Sequence, residues 1–383
     1  MLFVADGRSP IALNWIDYFM EAGHQVHLVS TYPCDPDPRL VSYHLIPVAF
    51  SRLAGGGRAP QGRLRGTAAV RVRTLIRQWL GPLTLPNAVP ALRLVIDKLQ
   101  PELVHAMRIP YEGMLAALAN PRSPLLVSIW GNDFTLHALS NPVLGRYTRL
   151  TLQRADALHA DCQRDIRLAN AWEFNENSPS VVLPGAGGVQ RDIFYPPLEG
   201  TQAEQNPLVI NPRGIRAYVR NDTFFKAVPI ILESKPNVHF VCPVMLGELE
   251  AHRWVEHLEL FESVELLPRQ TRLQMAELFR RSLVAVSPST HDGTPNTLLE
   301  AMACGCYPVA GDLESLREWI ETGVNGSLVD PSDPHALAKA VLSVLQDTKL
   351  RGNASAYNQR LIERRAEYQG VMRRAEQFYR SLI

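Results

Sequence analysis

Residues 283–309 read LVAVSPSTHDGTPNTLLEAMACGCYPV, and the architecture of the whole chain is inferred outward from them. The apolar run Leu283–Val286 predicts a buried strand. A loop follows, and Asn296–Ala303 has the pattern of a short helix that Gly305 closes in the left-handed conformation. A strand, a glycine-containing loop and a helix in this order direct free backbone N–H groups at an anion. The stretch therefore predicts an α/β unit with an anion site at a helix N-terminus.

Two carboxylates lie in this stretch, Asp292 in the loop and Glu300 inside the predicted helix. Together with the residues around them they resemble the signature of the retaining glycosyltransferases of family 4, whose fold is called GT-B. The matching residues are Pro288, Ser289, Gly293, Pro295, Glu300, Ala301, Met302, Ala303, Gly305, Pro308 and Val309. The family usually has Glu where this chain has Asp292, a carboxylate one methylene shorter. The alternative is an ordinary strand–helix unit of a parallel sheet, which does not account for all of these residues together.

The resemblance implies a site for a nucleotide-diphosphate sugar, linked to UDP or GDP, and neither a cofactor nor a metal ion. Asp292 would hold hydroxyl groups of the sugar, and Glu300 would hold the ribose of the nucleotide. Negative charge on the departing diphosphate has to be stabilised, and the amides near residues 294–297 are assigned to this task. The donor-binding residues of the stretch are Gly293, Thr294, Pro295, Asn296, Thr297 and Glu300.

A second part of the donor site is predicted in the sequence RGIRAYVR at residues 213–220. The family has an Arg and a Lys here that pair with the pyrophosphate. Arg213 matches the Arg, and the Lys has no direct counterpart. Arg216 or Arg220 is expected to supply the second charge, because a guanidinium binds phosphate bidentately. The alternative is a basic surface loop. Arg269 lies where the family holds the base by backbone groups.

The first half of the chain carries two further candidates. Residues 2–29 predict a strand, a helix and a second strand with Gly7 in the first loop, similar to the opening of many GT-B sugar transferases. Gly7 is either a donor contact or part of a plain tight turn. In family terms, His105 ends a strand that faces the cleft between the domains, and the alternative is a buried core histidine. The catalytic candidates are Asp292, Arg213, Arg220 and His105.

Strand and helix patterns alternate along both halves, which indicates two Rossmann-like α/β domains with the active site in the cleft between them. The acceptor-side domain is expected at residues 1–196, with a terminal helix in residues 364–383 packing back on it. The nucleotide-sugar-binding domain is expected at residues 207–363. Local signals in this domain predict a helix over residues 313–321 and a helix cap at Asp333.

Composition limits the class of protein. A net charge of +1 over 383 residues gives no general attraction to nucleic acid. The hydrophobic share of 46% is that of a globular protein, and no apolar run is long enough to predict a membrane-spanning helix. The N-terminal strand lacks the charged leader of a signal peptide. Five cysteines without metal-ligand spacing predict reduced thiols in a cytoplasmic protein.

The segment of residues 38–96 contains nine arginines and neither Asp nor Glu. Residues 70–80 predict a basic helix that includes Trp79, a pattern typical of contact with an anionic membrane surface or an anionic acceptor. This predicts peripheral attachment to the inner face of a membrane through the Arg52–Arg77 region, with a glycan or lipid-linked acceptor. The alternative is a solvated helix that covers the domain.

The predicted activity is retaining transfer of a sugar from a nucleotide-diphosphate sugar to a hydroxyl acceptor, in cell-surface glycan or glycolipid biosynthesis. Two alternatives from other classes stay open. One is a nucleotide-sugar 2-epimerase of related fold, and the other is a catalytically silent protein that binds sugar or lipid.

Two apparent metal sites are set aside. Asp35 and Asp37 resemble the metal site of another glycosyltransferase fold, but the prolines around them indicate a turn. His252 and His257 lie five positions apart in one predicted helix and point in different directions. No metal ligand is therefore predicted.

Overall fold

The computed structural model describes residues 1–51, 77, 79–197 and 206–383. These residues form two compact units. The described part of the first unit consists of residues 1–51, 77, 79–188 and 369–383, and that of the second consists of residues 189–197 and 206–368. Each unit consists of one parallel sheet and of helices, most of which lie between its strands in the sequence. The α/β fold class inferred from the sequence is therefore confirmed.

The sheet of the first unit has seven parallel strands. They are β1 (Leu2–Ala5), β2 (His27–Ser30), β3 (Ser42–Leu45), β4 (Val104–Ala106), β5 (Leu125–Ile129), β6 (Ala157–Ala160) and β7 (Ser180–Val182). Their order is β3-β2-β1-β4-β5-β6-β7. The strand order reverses between β1 and β4, which pair directly. In doubly wound sheets ligands bind outside the carboxyl ends of the strands at such a reversal.

Among the described residues of the first unit, five α-helices follow its strands. They are α1 (Pro10–Glu21), α2 (Leu85–Leu99), α3 (Met114–Ala119), α4 (Pro142–Arg154) and α5 (Gln163–Ala171). Helix α1 starts where expected because the side chain of Ser9 accepts a hydrogen bond from the N–H of Ala12, and Pro10 occupies the first turn. Its buried face carries Trp15, Ile16 and Phe19, so the helix is fixed by its apolar side.

The second unit has six parallel strands. They are β8 (Leu208–Ile210), β9 (His239–Cys242), β10 (Val264–Leu266), β11 (Val284–Ser287), β12 (Tyr307–Gly311) and β13 (Ser327–Val329). Their order is β10-β9-β8-β11-β12-β13, so the order reverses between β8 and β11. The loops that follow these two strands contain Arg213 and Asp292, and the fold therefore brings the two predicted donor loops to one edge of the sheet.

Six helices complete the second unit. They are α6 (Asn221–Ser234), α7 (Leu249–His257), α8 (Arg272–Arg281), α9 (Asn296–Ala303), α10 (Pro334–Gln346) and α11 (Thr348–Arg365). The side chain of Asp333 caps α10 as predicted, accepting from the N–H groups of His335 and Ala336.

The prediction of a helix over residues 313–321 is wrong. Only a short 3₁₀ turn, Leu316–Glu318, forms there. The buried side chain of Asn325 accepts from the N–H of Glu321 at 2.7 Å and donates to the carbonyl of Trp319 at 2.9 Å. These backbone groups therefore bond to a side chain, and the segment does not continue as a helix.

The C-terminal helix α12 (Tyr368–Leu382) packs in the first unit, as the fold class implies. Its Tyr379 is buried, stacks on Phe19 of α1 with ring centroids 4.5 Å apart and hydrogen bonds to His105 of β4. Its Glu376 accepts from the hydroxyl of Tyr18 at 3.3 Å. Aromatic packing and buried hydrogen bonds thus hold the end of the chain in the first unit.

Six of the nine arginines in the segment of residues 38–96 lie outside the described residues. Of the predicted basic helix over residues 70–80, the structure describes Arg77, Trp79 and Leu80. Trp79 and Leu80 are exposed, at 55% and 47%. The prediction for the rest of this segment stays a prediction.

Candidate functional site

The loop after β11 leads directly into the N-terminus of α9. Strand β11 ends at Ser287, and α9 begins after Pro295, which provides no side-chain cap. The N–H groups in the first turn of a helix have no intrahelical acceptor, and the helix dipole adds partial positive charge there. Gly305 closes the other end with a φ of +87°, as predicted from its position. The N-terminus of α9 therefore suits a negatively charged group.

Arg213 joins the two predicted donor loops. Its Nη2 lies 2.5 Å from Oδ2 of Asp292, and its Nη1 donates to Oγ1 of Thr297 at 3.3 Å. The Arg213 side chain is 9% exposed, and its Nε is buried without a hydrogen-bond partner among the described residues. The sequence prediction named all three residues, and the structure brings them together at the N-terminus of α9.

The backbone around Arg213 is held by two buried asparagines. The N–H of Arg213 donates to Oδ1 of Asn211 at 3.3 Å, and Nδ2 of Asn211 donates to Oδ1 of Asn221 at 3.0 Å. Nδ2 of Asn221 donates to the carbonyl of Gly214 at 3.0 Å, and Gly214 has a φ of +65°. A side chain is disfavoured at this φ, so Gly214 allows the turn that directs Arg213 toward α9.

The other two arginines of the loop are engaged differently. Arg216 is exposed, and its Nε donates to the carbonyl of Arg213 at 3.0 Å. Arg220 forms two 2.8 Å bonds with the carboxylate of Asp222, and its Nη1 donates to Ser332 at 2.8 Å. The bonds with Arg220 hold the pKa of Asp222 below its usual range. Arg220 is thus paired with Asp222, and its predicted role at the donor stays a prediction.

The loop itself is fixed by two residues that the sequence analysis did not identify. The hydroxyl of Ser315 donates to the carbonyl of Asp292 at 2.7 Å, and Nε1 of Trp319 donates to Oγ1 of Thr294 at 2.9 Å. Gly293, Thr294 and Pro295 are buried. No local signal marks Ser315 and Trp319, because their segment was predicted as an ordinary helix.

Glu300 is half-buried in α9. Burial raises the pKa of its carboxyl to about 7, while the positive charge of Arg272 acts to lower it. The part of the chain that the structure describes supplies no hydrogen-bond donor to this carboxylate. A carboxyl with these properties is poised to accept hydrogen bonds from hydroxyl groups of a ligand.

The remaining donor candidate of the second unit, Arg269, follows β10 and is exposed. It forms no ion pair with the other described residues. The structure therefore does not join Arg269 to the contacts around Arg213.

His105 is the buried core histidine of the alternative interpretation, and the structure does not support the catalytic role predicted for it. It is 1% exposed, its Nε2 bonds to Oγ of Ser128 at 2.8 Å, and its Nδ1 bonds to the hydroxyl of Tyr379. Burial lowers the pKa of its imidazole well below the usual value. Both ring nitrogens are occupied within the fold, so His105 is a satisfied core histidine.

Gly7 is required by close packing after β1. Its N–H donates to Oγ of Ser30 at 3.0 Å. A Cβ at this position would lie 2.4 Å from Sγ of Cys34 and 2.8 Å from Oγ of Ser30. This contact explains the glycine without a ligand, and its predicted donor contact is untested.

The predicted turn at Asp35 and Asp37 agrees with the structure, since Asp37 accepts from the side chain and N–H of Arg39. These bonds lower the pKa of Asp37 to about 2. Among the described residues, one other group has metal-ligand spacing, Asp161, Cys162 and Asp165. The guanidinium of Arg164 already lies 2.8 Å from Asp165, and burial raises the pKa of the Cys162 thiol. Because the thiolate is the form that binds a metal ion, a raised thiol pKa disfavours metal binding at this group.

No helix among the described residues has both the length and the apolar character needed to cross a membrane.

Two sequence families match the chain and together account for most of it. Residues 7–185 match the family described as "Glycosyl transferase 4-like domain", and residues 199–361 match the family described as "Glycosyl transferases group 1".

Curated relatives are similar over part of their length. The chain is 34% identical over 214 residues to a D-inositol 3-phosphate glycosyltransferase of Geodermatophilus obscurus, covering 51% of this chain and 47% of the relative. It is 40% identical over 221 residues to the lipopolysaccharide core biosynthesis mannosyltransferase LpcC of Rhizobium leguminosarum bv. viciae, covering 53% of this chain and 58% of the relative. The chain thus spans about half the length of the curated relatives it matches.

Similarity to a solved structure extends over the whole chain. The protein HepE of Anabaena, solved in complex with UDP and glucose, superposes with a TM-score of 0.74 at 15% identity and covers 99% of both chains. At this identity the likeness shows a shared fold.

Proposed function

Because this chain belongs to the glycosyl transferases group 1, with the GT-B fold, we propose that it transfers a sugar from a nucleotide-diphosphate sugar to a hydroxyl group of an acceptor. The observation that carries this proposal is the contact of Arg213 with Asp292 and Thr297 at the N-terminus of α9. A cation, a carboxylate and the first-turn amides of a helix at one point match the needs of a diphosphate joined to a sugar.

The diphosphate is assigned to Arg213 and to the first-turn amides of α9. Arg213 is nearly buried, so its charge acts in a medium of lower dielectric than water. Its buried Nε has no acceptor among the described residues, and a phosphate oxygen is a suitable one. Arg216 is the second cation of the proposal, because it is exposed and forms no ion pair with the described residues, whereas Arg220 is paired with Asp222.

Asp292 and Glu300 are assigned to hydroxyl groups of the donor. The Asp292 carboxylate is bound by Arg213, and a diphosphate that competes for this guanidinium would release Asp292 to the hydroxyl groups of the sugar. Glu300 is assigned to the ribose, because its carboxylate is half-buried and accepts no bond from the described residues.

The transfer is proposed to retain the anomeric configuration. The bond between the anomeric carbon and the diphosphate oxygen breaks, and its electron pair stays on the diphosphate. The acceptor oxygen bonds to the same face of the anomeric carbon, and its proton passes to the departing diphosphate oxygen. Arg213 and the α9 amides stabilise the charge that develops on the leaving group, which lowers the barrier.

The acceptor is proposed to be a glycan or lipid-linked intermediate at the inner face of a membrane. The six arginines of residues 52–73 and the exposed Trp79 and Leu80 support this placement, because basic residues bind anionic lipid and tryptophan favours the interface. The reaction is accordingly proposed to take place in the cytoplasm and to belong to the synthesis of a cell-surface glycan or glycolipid.

A screen of nucleotide sugars tests the proposal. UDP- and GDP-linked hexoses are incubated with the protein, and release of free nucleotide is measured with and without a membrane extract as acceptor source. We expect one donor to be consumed, with at least tenfold slower turnover in Arg213→Gln. Arg253→Gln, which removes an exposed arginine of α7, is the matched control and should be unaffected. Consumption of no donor, or equal turnover in Arg213→Gln, would count against the proposal.

A further inference from the structure

A cavity of about 270 Å³ opens in the first unit at the carboxyl ends of four strands. Asp6 follows β1, Tyr32 follows β2, Arg108 follows β4 and Trp130 follows β5. The cavity thus lies at the reversal of strand order, where doubly wound sheets bind ligands. Its volume is near the lower end of the roughly 300–1,000 Å³ of small-molecule sites, so it has room for a small polar group.

Two residues that line this cavity each carry a buried N–H donor without an acceptor among the described residues. Nε of Arg77 and Nε1 of Trp130 are both buried and hydrogen bond to none of the described residues. Buried donors are rarely left without a partner, because each costs about 1–3 kcal/mol. Two such donors in one cavity indicate a ligand that carries acceptor oxygens.

Arg77 is also the unpaired cation of the cavity. Two of the nearby carboxylates already have arginine partners: Asp6 forms 3.0 Å bonds with Arg8, and Asp133 forms a 2.9 Å bond with Arg108. Arg77 forms no ion pair with the described residues. The neighbouring residues 52–76 contain no Asp or Glu that could pair with it.

Glu112 is the remaining carboxyl of the cavity, and the fold already occupies it. Its Oε1 accepts from the hydroxyl of Thr31 at 2.6 Å, and its Oε2 accepts from the N–H of Tyr111 at 2.9 Å. Burial raises its pKa, while the positive charges of Arg77 and Arg108 act to lower it. Among the described residues, Glu112 forms no ion pair with Arg77.

Aromatic rings hold Arg77 in place before any ligand arrives. Its guanidinium lies 5.1 Å from the ring centroids of both Tyr32 and Tyr111, and its carbonyl accepts from the Tyr111 hydroxyl at 2.6 Å. The guanidinium of Arg108 lies 5.1 Å from the ring of Trp130. Cation–π contacts leave the N–H groups in the guanidinium plane available to acceptors.

We propose that this cavity binds an anionic group of the acceptor, a phosphate or a carboxylate, through the guanidinium of Arg77 and the indole N–H of Trp130. This rests on the proposed function, because it places the acceptor in the first unit. Phosphate and carboxylate both offer the oxygens that the two orphan donors need, and the experiment separates them.

Ligand-observed NMR on the full chain tests the site without any nucleotide donor. Glucose 6-phosphate, glucuronate and neutral glucose are titrated separately. We expect at least one charged sugar to bind, with glucose at least tenfold weaker. Arg77→Gln should weaken binding at least tenfold, Arg77→Lys less, and Trp130→Phe, which keeps the ring and removes the N–H, several-fold. The exposed Arg146→Gln is the matched control and should bind as the wild type does.

Arg213→Gln distinguishes this cavity from the donor site, since a sugar phosphate could also bind there. Full binding by Arg213→Gln together with loss in Arg77→Gln supports the proposal. Loss in Arg213→Gln but not in Arg77→Gln, equal binding of glucose, or no binding of either charged sugar overturns it. Because Trp130→Phe is a conservative change, it keeps the test valid even if Arg77→Gln fails to fold. A failed nucleotide-sugar screen would contradict the proposed function without changing this result.

Discussion

Nη2 of Arg213 lies 2.5 Å from Oδ2 of Asp292, although 78 residues separate them in the sequence. The cation proposed to bind the diphosphate is thus neutralised by the carboxylate proposed to bind the sugar. A diphosphate has to compete with Asp292 for this guanidinium. The pair therefore couples binding of the leaving group to release of the sugar-binding carboxylate.

Asp292→Asn should separate these two roles. Without the carboxylate, Arg213 is free for phosphate and one repulsive charge is gone, so affinity for a nucleoside diphosphate should rise several-fold. Turnover of the nucleotide sugar should fall at least tenfold, because the amide holds sugar hydroxyls less strongly. Calorimetric titration and a nucleotide-release assay measure the two quantities. Unchanged or weaker diphosphate affinity would show that the ion pair does not restrain Arg213.

Glu300→Gln should remove a pH dependence of nucleotide binding. With a pKa of about 7, the wild-type carboxyl ionises between pH 6 and 8, and affinity should increase over this range. The variant should bind roughly 1–3 kcal/mol more weakly at pH 8 and show a flat profile. Titrations at several pH values check this. Parallel profiles of the two proteins would exclude Glu300 from the ribose contact.

The same shift affects the stability of the free protein. The folded-state pKa of Glu300 is raised above the unfolded value of about 4.5. The contribution of its protonated carboxyl to the free energy of unfolding is therefore fully present below pH 4.5 and is lost as the pH rises to about 7. Glu300→Gln should therefore be relatively more stable than the wild type at pH 8 than at pH 5. Denaturant unfolding at the two pH values provides the comparison.

A chain of hydrogen bonds through the first unit predicts sensitivity to acid. His159 donates from Nε2 to the carbonyl of Leu183 at 3.0 Å, so its Nδ1 accepts from Ser128, which in turn accepts from Nε2 of His105. Tyr379 then donates to Nδ1 of His105. In both histidines Nδ1 has to accept a hydrogen bond, so both imidazoles must be neutral.

Burial lowers the pKa of His159 to about 4, and that of His105 well below 6.5. The unfolded chain takes up protons below pH 6.5 and the folded chain does not, so stability should fall between pH 6.5 and 4 by up to roughly 3 kcal/mol per histidine. Urea unfolding across this range is the measurement. A flat profile would mean that the imidazoles are not held neutral.

Tyr379→Phe should cost about 1–3 kcal/mol at pH 7, because it leaves Nδ1 of His105 buried without a donor. Tyr147→Phe is the matched control, since the Tyr147 hydroxyl makes no hydrogen bond to the described residues and its partly buried ring is kept. It should cost less than about 0.5 kcal/mol. Equal losses of stability in the two variants would refute the role given to these buried hydrogen bonds.

Vesicle co-sedimentation checks the proposed membrane contact. Binding should increase with the share of anionic lipid and decrease with salt. Neutralising Arg63, Arg65, Arg71 and Arg73 together should abolish most of it, at about 1 kcal/mol for each residue near the surface. Equal recovery from neutral and anionic vesicles, unaffected by these changes, would leave a transferase without a membrane contact.

Much of the fold follows from local sequence patterns, and the exceptions have physical reasons. Strand β3 and helix α2 were not predicted. Pro90 lies inside α2, where a proline normally ends a helix, and the buried Leu92 and Ile96 offset its cost through packing. The helix expected at 313–321 does not form, because Asn325, only a few residues further along the chain, bonds to backbone groups of Glu321 and Trp319.

The donor loops were recognised because the residues of 283–309 form a dense signature, but sequence alone does not give contacts between distant residues. It could not show that Arg220 is taken by Asp222 while Arg213 reaches Asp292. It left the role of His105 open, because burial depends on the aromatic side chains that the fold assembles around it.

Binding of nucleoside diphosphate by the Arg213 site is the central claim, and calorimetry tests it directly. UDP and GDP are titrated separately into the wild type, Arg213→Gln and the control Arg253→Gln. The account predicts that at least one of them binds the wild type and Arg253→Gln equally, and binds Arg213→Gln at least tenfold more weakly. Equal affinity of all three proteins, or no binding of either nucleotide to the wild type, would contradict it.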